Sequence, residues 1–297
     1  MTTQRTMGHA SFPYTSHDFQ VDGSTMRYVA EGVGPPVLFV HGTPTWSYLY
    51  RRFIVSLAPS HRVVAPDNLG FGRSAKPPGA DYRPAAHARR LGALIDHLGL
   101  RDFVLVVHDF GGPIGLSYAL DHPDLVRGIV LFNTWMWSLK GSPNARIARA
   151  LSGRVGRFLY ERLNASPRLL LKAGFADKTK LSRETHARYL APFPSRRERH
   201  ATWVLARELL DSSDWYAGLW DRRDRIAGLP AMLLWGMRDP VFGPGYLERW
   251  RDALPDARVT TFPDAGHFVQ EEAPDHAVAE VLGFLATLNG PGRAAQS

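Results

Sequence analysis

A 297-residue chain that is 44% hydrophobic, with a mean hydropathy of −0.21, has the apolar mass for a large core, and no run approaches the roughly 20 apolar residues that span a bilayer. The lack of cysteine excludes disulfides, thiol chemistry and thiolate-bound metal. The formal net charge of +8 is concentrated: residues 138–225 hold 19 Lys/Arg against 9 Asp/Glu, and the remainder is slightly acidic. That basic stretch contains no nucleic-acid module with aromatic platforms, so a solvated Arg-rich helical face is expected, with neither nucleic acid nor membrane as partner. The polar start of the chain offers no apolar export signal, which points to a cytoplasmic protein.

Residues 1–17 read as an unpacked N-terminal tail. Phe19 to Val21, an Asp22-Gly23 turn and Thr25 to Ala30 predict a β-hairpin. Val37 to Val40 predicts a short buried strand that runs into His41-Gly42-Thr43-Pro44-Thr45-Trp46, with a helix over 47–57. The next strand is Arg62 to Pro66, followed by the glycine-rich loop from Asp67 to Ser74. That loop lacks the lysine of a phosphate-binding loop and reads as a structural turn beside a site. Helical spacing over 83–98 closes at Gly99. The β-branched run Val104 to Val107 then drives into His108-Asp109-Phe110-Gly111-Gly112-Pro113, with helical spacing from Ile114 to Leu120.

Arg127 to Asn133 is a further strand, so strands alternate with helices as βαβ units of a mainly parallel sheet, the α/β class. From 137 to 225 the pattern becomes helical, punctuated by Pro143, Pro167, Pro192 and Pro194, and reads as an inserted cap between core segments 18–136 and 226–290. The core resumes with the strand Ala231 to Trp235 before Gly236-Met237-Arg238-Asp239, a helix over 246–253, and the strand Arg258 to Phe262 leading to Asp264-Ala265-Gly266-His267. A helix over 277–288 closes the chain ahead of a frayed tail, 291–297.

Strand, sharp turn, helix, with one reactive side chain at the bend, is the layout of a nucleophile elbow. The usual occupant is serine; here it is Asp109. Open α/β sheets hold their sites beyond the carboxyl ends of the strands, where Asp109, Asp239 and His267 fall in the chain order nucleophile, acid, histidine. In such a triad Asp239 fixes the tautomer of His267 and stabilises its imidazolium. No metal-ligand spacing is present among the 12 histidines, and no cofactor is implied.

On these residues the chain resembles the haloalkane dehalogenases of the α/β-hydrolase superfamily. The resemblance is carried by His41 to Thr45 with Tyr48-Leu49-Tyr50-Arg51, Asp67 to Ser74, His108 to Pro113, Asp121-His122-Pro123, Gly236 to Asp239 and Gly266-His267-Phe268, in order over residues 18–290. It implies an α/β-hydrolase fold with a helical cap and a small apolar electrophile and water as partners. The state expected is monomer or homodimer. It further implies an Asp109–substrate ester hydrolysed by water that His267 activates, with the backbone N–H groups of Thr43 and Phe110 as oxyanion hole. Asp239 matches the acid of two family branches; a third places Glu where this chain has Asn133. The family binds halide with a Trp N–H after the nucleophile, often aided by an Asn in the His-Gly-x-Pro loop, but this chain has Phe110 and Thr43. Thr43 Oγ or an indole N–H of Trp46, Trp135 or Trp137 is the expected substitute.

The nearest alternative is an epoxide hydrolase, with Tyr160, Tyr189 and Tyr216 of the cap as candidates for activating the epoxide oxygen. A haloacid dehalogenase, its carboxylate held by the basic cap, and a non-catalytic binding protein of the same fold complete the set.

Overall fold

The computed structural model describes residues 12–142 and 145–288; residues 1–11, 143–144 (with Pro143) and 289–297 (with the expected tail 291–297) lie outside the described residues. Its frame is one eight-stranded sheet of β1 (Ser16–Val21), β2 (Ser24–Glu31), β3 (Pro36–Val40), β4 (Arg62–Asp67), β5 (Phe103–Asp109), β6 (Val126–Thr134), β7 (Ala231–Gly236) and β8 (Arg258–Phe262). The spatial order is β1-β2-β4-β3-β5-β6-β7-β8, antiparallel at β1/β2 and β2/β4 and parallel throughout the rest. The predicted hairpin is present: Asp22 and Gly23 take φ of +51° and +67°, the left-handed pair of a two-residue turn that matches strand twist.

β5 is central and buried along its whole length. Its alternate residues face opposite helical layers, as a strand period of two requires. Leu105 and Val107 pack with Leu91, Leu94 and Ile114, whereas Val104 and Val106 pack with Phe53, Val281 and Leu285. Two apolar faces explain why this strand reads as an unbroken hydrophobic run. Helix Gly111–Asp121 begins three residues earlier than the spacing suggests, because Pro113 sits in its first turn, where no backbone donor is needed.

The chain also packs earlier than expected. Phe12 is buried, edge-on to Trp46 and Tyr48, with the Arg73 guanidinium over its ring, and β1 already begins at Ser16. Packing thus corrects the N-terminal boundary: two aromatic residues, Phe12 and Tyr14, anchor what a polar composition disguised.

Between β6 and β7 every regular element among the described residues is helical, including Ala145–Ser152, Arg154–Glu161, Arg183–Leu190 and His200–Asp211. Glu161, buried under this layer, collects Arg157, Arg196 and His200. The layer is tied to the core by Glu271, which receives both Arg51 Nη atoms at 2.5 and 2.7 Å and the Tyr189 hydroxyl at 2.5 Å. No helix among the described residues is long and apolar enough to cross a membrane.

Candidate active site

Asp109 ends β5 with φ at +54°, a left-handed backbone that a non-glycine residue adopts only when its surroundings impose it. Those surroundings are glycines. A Cβ on Gly111 would lie 2.1 Å from Val40 O and one on Gly112 would lie 1.8 Å from Thr134 Oγ1. Gly42 admits the carboxylate itself, since a Cβ there would lie 2.0 Å from Asp109 Oδ1. The Thr134 hydroxyl donates to Asp109 O at 2.5 Å and holds the bend from β6.

The two carboxylate oxygens have different neighbours. Asp109 Oδ1 accepts the Thr43 backbone N–H at 2.8 Å. Asp109 Oδ2 faces His267 Nε2 at 3.6 Å, an ion-pair distance beyond a hydrogen bond. On its other side His267 donates from Nδ1 to Asp239 Oδ2 at 2.7 Å. Asp239 is fixed in turn by Asn133 Nδ2 at 2.9 Å and by the Val241 N–H at 2.7 Å. Asn133, which the sequence placed at a strand end and where a family branch has its acid, therefore helps orient the acid. Its Oδ1 accepts Gly236 N–H at 2.8 Å and locks β6 to β7.

These neighbours set the charges. Burial works against an imidazolium at His267, but the carboxylates of Asp239 and Asp109 outweigh it and push His267 up to about 10. Burial also opposes ionisation of Asp239, yet His267 and the N–H groups of Val241 and Phe242 hold it below its ordinary value. His108 lies under the triad, its ring centroid 4.4 Å from that of His267. Burial, reinforced by the His267 charge, pushes it down to about 3, so it is a neutral donor from Nε2 to His267 O at 2.9 Å. The Gly266 N–H on Glu272 at 2.7 Å and the His267 N–H on Gly174 O at 2.8 Å complete the loop's restraint.

Above the triad lies a cavity of about 290 Å³ between the strand ends and the cap. Its walls are mainly aliphatic and aromatic, with Leu139, Leu151, Leu170 and Leu210 from the cap side and Val241 and Phe268 from the core. Asp109, Phe110, Thr43 and His267 line it.

The profile of the α/β hydrolase fold family matches residues 35–274. Haloalkane dehalogenase 2 of Mycobacterium tuberculosis is 36% identical over 91% of this chain and 95% of its own length. The chain belongs to the haloalkane dehalogenase family.

It is an enzyme fold-mate of the crystallised haloalkane dehalogenase DbeA of Bradyrhizobium elkani, with a TM-score of 0.84 and 30% identity over 92% of this chain and 98% of that one. The family is broad enough in sequence to border on a cis-3-alkyl-4-alkyloxetan-2-one decarboxylase of Shewanella oneidensis, which is 31% identical over 92% of this chain and 89% of its own length.

Of the replacement donors expected against the haloalkane dehalogenase pattern, Thr43 lines the cavity and the three indoles do not. None of Trp46, Trp135 and Trp137 lines the cavity. Trp46 donates to Arg188 O at 3.3 Å, and Trp137 packs among Trp220, Tyr246 and Trp250. Trp135 stands one layer back, edge-on to Phe110 and stacked on Phe242. Indoles at strand ends served packing because each had a large apolar neighbour within reach. Of the cap tyrosines, Tyr160 alone lines the cavity; Tyr189 donates to Glu271 and Tyr216 to Glu208 O.

Proposed function

We propose that this enzyme hydrolyses haloalkanes to alcohol and halide through an ester on Asp109. The observation that carries the reading is the unequal environment of its two oxygens. Oδ2, free of a hydrogen bond and turned toward His267, attacks the sp³ carbon as the carbon–halogen bond breaks and halide leaves. Oδ1 then becomes the ester carbonyl, already on the Thr43 N–H. His267 takes a proton from water, and the resulting hydroxide adds to the Asp109 carboxyl carbon. Negative charge develops on Oδ1, where the Thr43 and Phe110 N–H groups receive it. Collapse expels the alkoxide, His267 returns the proton, and the alcohol departs.

Alkylation also prepares the second step. It turns Asp109 into a neutral ester and removes one of the two charges that raise His267, so its affinity for a proton falls when a base is required. Asp239 keeps the remaining charge and the tautomer.

Neither remaining alternative fits the cavity as well. An epoxide hydrolase needs cap tyrosines, and two of the three are committed elsewhere; a haloacid dehalogenase needs a cation, and among the described residues no Lys or Arg lines the cavity. One other reaction is favoured by a specific observation, the lack of any lining indole together with the oxetan-2-one decarboxylase relatives. Asp109 would open a β-lactone at its alkyl carbon, releasing a carboxylate. Loss of CO2 from that carboxylate would form an alkene as the Asp109 C–O bond breaks, with no water consumed.

The test replaces His267 with Gln and offers 1-bromohexane or a dialkyl β-lactone. Dehalogenation predicts bromide release and an enzyme heavier by one hexyl group, located on Asp109. Alkene and CO2 from the lactone, with no bromide from the haloalkane, would select the second reaction. An unmodified enzyme with both would remove the ester mechanism.

A further inference from the structure

Breaking a carbon–halogen bond in an apolar cavity strands an anion, and a desolvated anion without donors is costly. The following rests on the dehalogenation reading above. Phe110 has no polar hydrogen on its side chain, and the three candidate indoles stand outside the cavity. Apart from Asp109 and His267, the protic side chains lining it among the described residues are those of Thr43, Ser166 and Tyr160. Thr43 Oγ1 is itself covered and unpartnered.

Tyr160 differs from the other cap tyrosines. It comes from the cap helix Arg154–Glu161, is 5% exposed, and its hydroxyl has no hydrogen-bond partner among the described residues. A phenol hydroxyl that opens on the cavity without a protein partner is free to donate to whatever enters it. Its position suits one acceptor in particular. The nucleophile stands on the core side, and in-line displacement drives the leaving group away from it, toward the cap. Burial and the Asp109 charge both disfavour the phenolate, which leaves a neutral O–H donor.

We infer that the Tyr160 hydroxyl is the hydrogen-bond donor to the departing halide, a cap phenol doing here what an indole beside the nucleophile does elsewhere in the family. One hard O–H donor helps the anion with the most concentrated charge. The site therefore favours chloride as leaving group relative to bromide and iodide, compared with a site of softer N–H donors.

The experiment compares the enzyme with Tyr160→Phe on 1-chloro-, 1-bromo- and 1-iodohexane, with Trp135→Phe and Ser166→Ala in parallel. Loss of a hydrogen bond to a developing anion predicts a fall in kcat of about 10- to 100-fold on the chloride. The fall is smaller on bromide, smallest on iodide, and KM changes little. Trp135→Phe and Ser166→Ala leave the halide ranking intact, and an unchanged unfolding temperature shows that Tyr160→Phe is folded. An equal loss on all three halides, no loss, or a chloride-selective loss in Trp135→Phe or Ser166→Ala instead overturns the assignment. Rapid mixing in the His267→Gln background separates the causes. If the alkyl-enzyme forms from the chloride as fast with Phe at 160 as with Tyr, the donor alone is wrong; if it forms from none of the halides, the ester mechanism falls as well.

Discussion

His267 carries the largest electrostatic perturbation in the site. Its ordinary value is 6.5 and Asp239 with Asp109 raises it to about 10 in the folded chain. Between those values the native state holds a proton that the unfolded chain does not, so stability is fully present below about 6.5 and declines as pH rises toward 10. Urea unfolding of the enzyme and of His267→Gln across pH 6 to 10 checks this: the slope is expected in the former and lost in the latter, and parallel profiles would contradict the coupling. Residues of this kind were legible in the sequence, because Asp109, Asp239 and His267 each end a strand pattern and their chain order is distinctive. Asn133 and Thr134 could be placed at a strand end, but their partners could not be read. Their hydrogen bonds to Asp239 and to the Asp109 backbone cross from β6 to its two neighbours, and sequence periodicity gives a strand's existence without saying which side chains meet across it.

At the scale of elements, the elbow works because neighbours approach closely enough to forbid a Cβ at three glycines, Gly42, Gly111 and Gly112. Gly42 is the informative one, since it lies against the nucleophile's own side chain. Gly42→Ala is expected to displace the Asp109 carboxylate and lower kcat by about 100-fold, the scale of an ångström misplacement in a preorganised site. Alkylation kinetics together with a melting curve measure it; a variant with wild-type kcat would show that Asp109 has more freedom than this packing allows. The strands themselves were readable from β-branched runs and turn residues, and the two-residue Asp22-Gly23 turn was as expected. The tryptophans were misread for a physical reason. An indole at a strand end satisfies a packing role and a binding role equally well on paper, and the choice depends on whether a neighbour such as Phe242 or Trp250 covers it.

At the scale of the whole molecule, Glu271 joins the core to the helical cap. Arg51 and Glu271, each with a side chain only 5% exposed, pair within the core, and Tyr189 of the cap donates to the same carboxylate. Removing one partner leaves a buried charge, so Arg51→Met is expected to destabilise the fold by about 3–5 kcal/mol, with Arg51→Met/Glu271→Leu recovering much of the loss. Denaturant titration decides it, and a change below about 1 kcal/mol would mean the pair adds little beyond its packing. Cap position could be read from the change of periodicity at residue 137, but its inner surface could not. The leucines and alanines that close the cavity look like ordinary helix-core residues until the helices are folded over the strand ends.

The central claim is that the product's new oxygen comes from Asp109. A single turnover of 1-bromohexane in oxygen-18 water, with enzyme in excess, addresses it most directly. The ester mechanism predicts an alcohol carrying ordinary oxygen and a peptide containing Asp109 that has gained the heavy isotope. Heavy oxygen in the first-turnover alcohol, with Asp109 unlabelled, would mean that water attacks the substrate itself and would contradict the account.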